Sequence, residues 1–139
     1  MRIAQRLLDE LIEHARAEAP NECCGMIGMR DGEAVAVHRA TNIHASPLKY
    51  EIGPEELFRL TMAIEDAGLD FGANYHSHTR TPPVPSPTDI NIADIFPNQS
   101  FTYVIVGVAG EEPEVRAYSI FHGQVTERPI EITTGGAAG

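Results

Sequence analysis

The stretch FGANYHSHTRTPPVPSPTD, Phe71 to Asp89, decides how the rest of the chain is read. Its first part, FGANY, sets Phe71 and Tyr75 around small residues and predicts a strand arriving from the interior. Side chains alternate along a strand, so His76 and His78 project from one face while Ser77 points to the other. Two imidazoles on one face make a two-nitrogen claw. Beyond a loop stiffened by Pro82, Pro83, Pro85 and Pro87 stands Asp89, a hard oxygen ligand able to close a third corner around zinc and leave a fourth for water.

Each piece also has a plain structural reading. A lone histidine is more often structural than ligating. Ser86-Pro87-Thr88-Asp89 spells a helix start, with Ser86 as N-cap, proline at the first helical position and a carboxylate three residues after the cap. The two readings of Asp89 are compatible. The helix macrodipole keeps a first-turn carboxylate ionised and oriented, and its remaining lone pairs are left for a cation.

Working outward, 139 residues suffice for a single domain, read here as 1–134 followed by a flexible tail, 135–139, that includes Gly135-Gly136. Cys23 and Cys24 are adjacent and poorly placed to bridge each other, so no disulfide framework is expected and a reducing cytoplasm fits. MRIAQRLLDE lacks an apolar core of signal-peptide length, and no apolar run is long enough to span a bilayer, so neither export nor membrane insertion is expected. Ten basic against twenty acidic residues give a net charge of -10, which repels phosphate backbones and argues against a nucleic-acid partner. A polypeptide with a basic face suits that charge better. The oligomeric state is open, a homodimer included.

From the start, Ala4 to Ala19 predicts an amphipathic helix, with Leu7, Leu8, Leu11, Ile12, Ala15 and Ala19 on one face, His14 solvated among charged neighbours and Pro20 ending it. CGMIGM and EAVAVHRATNI read as strands joined by the Asp31-Gly32 turn, and Tyr50 to Ile52 as a brief strand. Gly53-Pro54-Glu55-Glu56 opens a second helix with Leu57, Leu60, Thr61 and Ile64 as its buried stripe and Gly68 as its stop. The Ser86-capped helix is expected to reach about Phe96. FTYVIVGVA has the continuous apolarity of a strand covered on both faces, EVRAYSIF alternates, and VTERPIEIT reads as one final edge strand because Pro129 cannot donate to a ladder. This order predicts an α/β domain with one mixed sheet and helices packed on it.

Glu22, at the junction of the first helix and the next strand, is by itself one of many carboxylates. Its company changes that. Glu22, Cys24-Gly25 and then His76-x-His78, seven residues, Ser86, two residues, Asp89 resemble the signature of the JAMM (MPN+) zinc metalloprotease family. The likeness extends through NECCG, TNIHASPLKYEI and AIEDAGLDFGANYHSHT to nearly the whole chain. It is nearest the small bacterial branch that removes cysteine from the C-terminus of a ubiquitin-like sulfur carrier protein during cysteine biosynthesis.

The resemblance implies the MPN fold, similar to that of cytidine deaminases, with Zn2+ held by His76, His78 and Asp89. It implies Glu22 as general base acting through the metal's water, and Ser86 as a stabiliser of the tetrahedral intermediate. The implied partner is a sulfur carrier ending in Gly-Gly-Cys. Compact segments between the motifs leave little room for the insertions with which larger eukaryotic deubiquitinases grip ubiquitin, which argues against a ubiquitin isopeptide. A carrier of secondary metabolism with a longer tail is the neighbouring alternative, and a non-catalytic MPN scaffold is the alternative from another class. A cysteine nucleophile is disfavoured because the neighbour of Cys23, Glu22, is not an imidazole, a second zinc site because the two cysteines are not a spaced pair such as C-x-x-C, and a deaminase because its P-C-x-x-C ligand pair is absent.

Overall fold

The computed structural model describes residues 1–133; the expected tail, 135–139, and the end of the expected domain at 134 lie outside the described residues. Eleven elements follow one another: β1 (Arg2–Ala4), α1 (Gln5–Glu18), β2 (Cys24–Arg30), β3 (Glu33–Ala40), α2 (Pro54–Asp66), β4 (Asp70–His78), α3 (Pro87–Ala93), β5 (Thr102–Gly107), β6 (Glu114–Phe121), β7 (Gln124–Arg128) and β8 (Glu131–Thr133). The eight strands form one mixed sheet in the order β7-β6-β5-β4-β2-β3-β1-β8. The α/β expectation holds.

The two outermost strands are consecutive in sequence, separated only by Pro129 and Ile130. That is possible only if the sheet curls until its edges come near each other. The amino terminus closes the seam, since the Met1 ammonium donates to the Pro129 carbonyl at 2.9 Å and the Glu131 N–H to the Met1 carbonyl at 2.9 Å. Here the sequence expectation needs correction. VTERPIEIT is two strands on opposite edges, because a proline that cannot donate ends one ladder and lets the chain cross to the other.

Alternation along β2, β4 and β5 sends side chains to two separate cores. Ile27, Tyr75, Val104 and Val106 pack with Leu7, Leu8, Leu11 and Ala15 of α1 on one face. On the other, Cys24 and Met26 meet Leu60 and Ile64 of α2, and Ile105 with Ile120 meets Ala93 of α3. Because β4 is buried on both faces at its end, Tyr75 through His78 are all buried. His76 and His78 fall on the α2–α3 face.

Several boundaries and faces differ from expectation. Residues 2–4 extend parallel strand pairing with β3 and β8 before α1 begins at Gln5. β3 ends at Ala40, and of the brief strand at 50–52 only an Asn42–Ile52 bridge forms. α3 stops at Ala93, and Ile95 and Phe96 beyond it are exposed at the wall of an open apolar groove. Leu57, expected in the α2 stripe, and Ala19, expected on the α1 face but lying past the end of that helix, are also exposed. His14 is buried, 3% exposed, with its Nδ1 2.7 Å from the Tyr75 hydroxyl. Helical spacing from Leu7 and Leu11 carries position 14 inward whatever its sequence neighbours are. No helix among the described residues is long and apolar enough to cross a membrane.

Candidate metal centre

β4 and α3 bring the centre together. β4 pairs with β2 on one side and β5 on the other, so its carboxyl end is fixed by two ladders. The Ser77 hydroxyl, on the opposite face from the two histidines as alternation requires, accepts the Cys23 N–H at 2.8 Å and ties the strand end to the start of β2. The loop after β4 is pinned in turn: the Tyr118 hydroxyl donates to the Pro83 carbonyl at 2.6 Å, and the Pro83 ring lies on Gly107, where a Cβ would meet it at 2.8 Å.

That loop delivers α3 with its expected start. Ser86 Oγ accepts the Asp89 N–H at 3.1 Å, and Asp89 Oδ2 accepts the Ser86 N–H at 2.9 Å, completing the capping box. The same Oδ2 lies 3.2 Å from His76 Nε2 and 3.2 Å from His78 Nε2, and the two Nε2 atoms are 3.2 Å apart. His76, His78 and Asp89 are all buried.

Donor chemistry tests whether these three atoms suit a cation. His78 Nδ1 sits 2.9 Å from the Pro82 carbonyl, an acceptor only, so Nδ1 carries the proton and Nε2 of the neutral ring presents a bare lone pair. Asp89 Oδ2 presents lone pairs to the same point. Both Nε2 atoms and Asp89 Oδ2 converge on one point, and a divalent cation there would be met by a lone pair from each of the three side chains. The triad therefore fits a metal.

The titration environment agrees. Burial raises the Asp89 carboxyl, but the adjoining His76 and His78 rings and the Ser86 N–H outweigh it and hold the group well below the usual carboxylate range. Burial lowers His76. It also works against protonated His78, where Asp89 and the Pro82 carbonyl overcome it and the net direction is upward.

Glu22 enters from the β2 side, buried at 6% exposure beside a hollow of about 220 Å³ lined by Cys23, Thr41 and Asn42. Burial pushes its carboxyl up to about 7, His78 drawing it down and Asp89 adding to the rise. A carboxyl near neutrality is poised both to take and to return a proton. Cys23 and Cys24 are buried thiols raised to about 11 and about 12 by burial, which suits packing and not nucleophilic attack.

All five residues singled out from sequence lie at this one end of the sheet. Three supporting residues were not singled out. Tyr50 stacks on His76 with ring centroids 4.3 Å apart and planes 18° from parallel. Asn42 donates from Nδ2 to the carbonyls of Glu22 and Lys49, both at 3.0 Å, and accepts at Oδ1 from the N–H groups of His44 and Glu51. Tyr118 holds the proline loop. Asn42 and Tyr50 lie within TNIHASPLKYEI, so a signal was present, but nothing in the residue types gave it a role. Beside the centre runs an apolar groove of about 970 Å³ that includes Tyr50, Ile52, Phe71, Ile92, Phe101 and Tyr103 in its walls.

Comparison with known proteins agrees with the geometry. The family described as prokaryotic homologues of the JAB domain matches residues 4–121. A CysO-cysteine peptidase of Mycobacterium tuberculosis is 33% identical over 129 residues, 91% of this chain and 86% of that protein. A probable TtuB-protein conjugate cleaving protease of Thermus thermophilus is 38% identical over 124 residues, 88% of this chain and 77% of that protein. The solution structure of a Desulfitobacterium hafniense protein matches with a TM-score of 0.84 at 29% identity, covering 95% of this chain and 92% of that one. The crystal structure of a JAB1/MPN domain protein from Archaeoglobus fulgidus gives 0.62 at 17% identity over 96% of each chain, a likeness of fold. With that domain matched across most of its length and three ligand-type atoms converging at the carboxyl end of β4, the chain belongs to the prokaryotic JAB-domain family and is a hydrolase of the JAMM type.

Proposed function

We propose that this enzyme is a zinc peptidase that hydrolyses the peptide bond at the C-terminal Gly-Gly tail of a ubiquitin-like sulfur carrier and releases cysteine. His76, His78 and Asp89 are the zinc ligands, Glu22 the general base and Ser86 the oxyanion donor. Its catalytic unit is the domain 1–134, and its two unpaired buried thiols suit the cytoplasm. The observation that carries this reading is the meeting of the two Nε2 atoms and Asp89 Oδ2, each pair 3.2 Å apart, with buried Glu22 nearby.

Zinc held there supplies a Lewis acid for the scissile carbonyl and lowers the pKa of a water to about 7. The protein does the rest. His78, fixed by the Pro82 carbonyl, keeps Nε2 available, and the Ser86 N–H and helix start keep Asp89 ionised. Glu22 takes the proton of the attacking water at its carboxylate and returns it to the leaving amine, a contribution of roughly a hundred- to ten-thousand-fold. Ser86 accepts the Asp89 N–H at Oγ and has its own hydroxyl proton free to donate to the developing oxyanion. Zinc-loaded enzyme incubated with a carrier–cysteine adduct is expected to shorten it by one cysteine. An unchanged adduct mass excludes this activity.

The likeness to the Thermus thermophilus protease favours a second reading, cleavage of conjugates between a ubiquitin-like protein and its targets. The same site performs both reactions. Rates on a cysteine adduct and on a lysine-linked conjugate of one carrier separate them. A scaffold role is excluded if Glu22→Gln abolishes the cellular function.

A further inference from the structure

A histidine that ligates a metal ordinarily donates its other ring N–H to a carbonyl or carboxylate, which fixes the plane of the ring. His78 follows that rule through the Pro82 carbonyl. His76 does not: its Nδ1 is buried and has no hydrogen-bond partner among the described residues. An imidazole anchored at one nitrogen alone has no second polar restraint on rotation about its Cβ–Cγ bond. What opposes that motion is a flat contact, the Tyr50 ring at 4.3 Å and 18° from parallel. The His78 ring, tilted by 60° at 5.0 Å, imposes no such plane.

Tyr50 is itself held from both sides. Asn42 Nδ2 donates to the Lys49 carbonyl and Asn42 Oδ1 accepts the Glu51 N–H, so the residues flanking Tyr50 are clamped by one amide. The Ile43 N–H adds a bond to the Glu51 carbonyl at 3.0 Å. Every polar atom of the Asn42 amide is used, with donors on carbonyls and the acceptor on N–H groups, which fixes its orientation. Its remaining donor contact is the Glu22 carbonyl, so the segment that carries Tyr50 is fastened to the backbone of the proposed base.

We infer that Tyr50 is a positioning residue: its ring holds the plane of the His76 imidazole in place of the hydrogen bond that His76 Nδ1 does not make. This rests on His76 being a metal ligand, as argued above. The competing role for Tyr50 is packing alone, as one wall of the apolar groove.

The test titrates metal-free wild type, Tyr50→Phe, Tyr50→Leu and His76→Ala with zinc against a chromophoric chelator, and records the visible spectrum of each cobalt form. Tyr50→Leu fills space without a flat ring and is expected to weaken zinc binding roughly tenfold, the low end of what losing a ligand's supporting partner costs, and to alter the cobalt bands. Tyr50→Phe keeps the stack and is expected to retain wild-type affinity and spectrum. Should Tyr50→Leu fail to fold by circular dichroism, Tyr50→Met carries the same comparison. Wild-type affinity and cobalt bands in a folded Leu or Met variant overturn the inference and leave the metal site standing. Equal zinc affinity in wild type and His76→Ala overturns the ligand assignment, and this inference with it.

Discussion

Gly25 and Tyr75 are partners across the β2–β4 ladder, and the phenol ring lies where a side chain at position 25 would begin. A Cβ there would stand 2.3 Å from Tyr75 Cε1 and 2.5 Å from the His38 carbonyl oxygen. Neither neighbour is free to yield, since the ring is buried and its hydroxyl bonded to His14, and the carbonyl is backbone. Gly25→Ala is expected to destabilise the protein by at least about 3 kcal/mol, lowering Tm by roughly 10 °C. Because the displaced strand carries His76 and His78, zinc affinity falls too. Adding Tyr75→Leu should recover only part of the loss, since the His38 carbonyl still obstructs. A Tm within a few degrees of wild type for the single variant would show that the strand pair has slack it is not expected to have.

How far this arrangement was legible in the sequence depends on the range over which each feature is determined. The His76–His78 claw follows from strand alternation, and the Ser86–Asp89 box from the first turn of a helix, so both were readable within a few residues. The inward turn of His14 was readable too, from its spacing to Leu7 and Leu11, but its charged neighbours misled. The curl that puts β7 and β8 on opposite edges was not legible. It depends on Met1 meeting Pro129, a contact between the two ends of the described chain. Tyr50 escaped for the same reason: its stacking on His76 joins a loop to a strand end, and nothing local in LKYEI points to an imidazole.

The buried His14–Tyr75 pair makes stability depend on pH in a definite direction. Burial lowers the His14 pKa below its ordinary value of 6.5, Arg39 adding to this and Glu18 and Glu10 opposing it. The unfolded chain therefore binds a proton more readily than the folded one below that value. Stability from this group is complete above pH 6.5 and is lost as pH falls toward the folded pKa. His14→Gln should lower stability at pH 8 by removing the ring, yet narrow its deficit against wild type at pH 5. Urea unfolding at the two pH values measures this. A deficit that widens on acidification reverses the sign and shows that His14 is protonated in the fold.

Glu22 acts in the opposite sense in metal-free protein. Burial raises its carboxyl from 4.5 to about 7, so between those values the folded state holds a proton that the unfolded state has released. Stability contributed by this group then falls as pH rises, with a slope of at most about 1.4 kcal/mol per pH unit. Glu22→Gln removes that slope and should be relatively more stable than wild type at pH 8 than at pH 4.5. Its zinc affinity should be retained while kcat falls roughly a hundred- to ten-thousand-fold. Zinc loss in parallel with activity would make Glu22 a ligand and not a base.

Ser86 has two functions that one substitution separates. Its hydroxyl caps α3 by accepting the Asp89 N–H, and its own N–H, which no side-chain change removes, holds Asp89 Oδ2 toward the histidines. Ser86→Ala therefore loses the cap, a cost of about 1 kcal/mol, while the backbone bond that orients the ligand carboxylate remains. Zinc affinity should stay within a few-fold of wild type. If the hydroxyl also donates to the developing oxyanion, kcat falls a further hundred- to thousand-fold, far more than a weakened cap explains at saturating zinc. Equilibrium unfolding, chelator competition and single-turnover cleavage read the three quantities separately. An activity loss that zinc titration restores would mean that Ser86 acts only through Asp89, because a missing oxyanion donor cannot be replaced by filling the metal site.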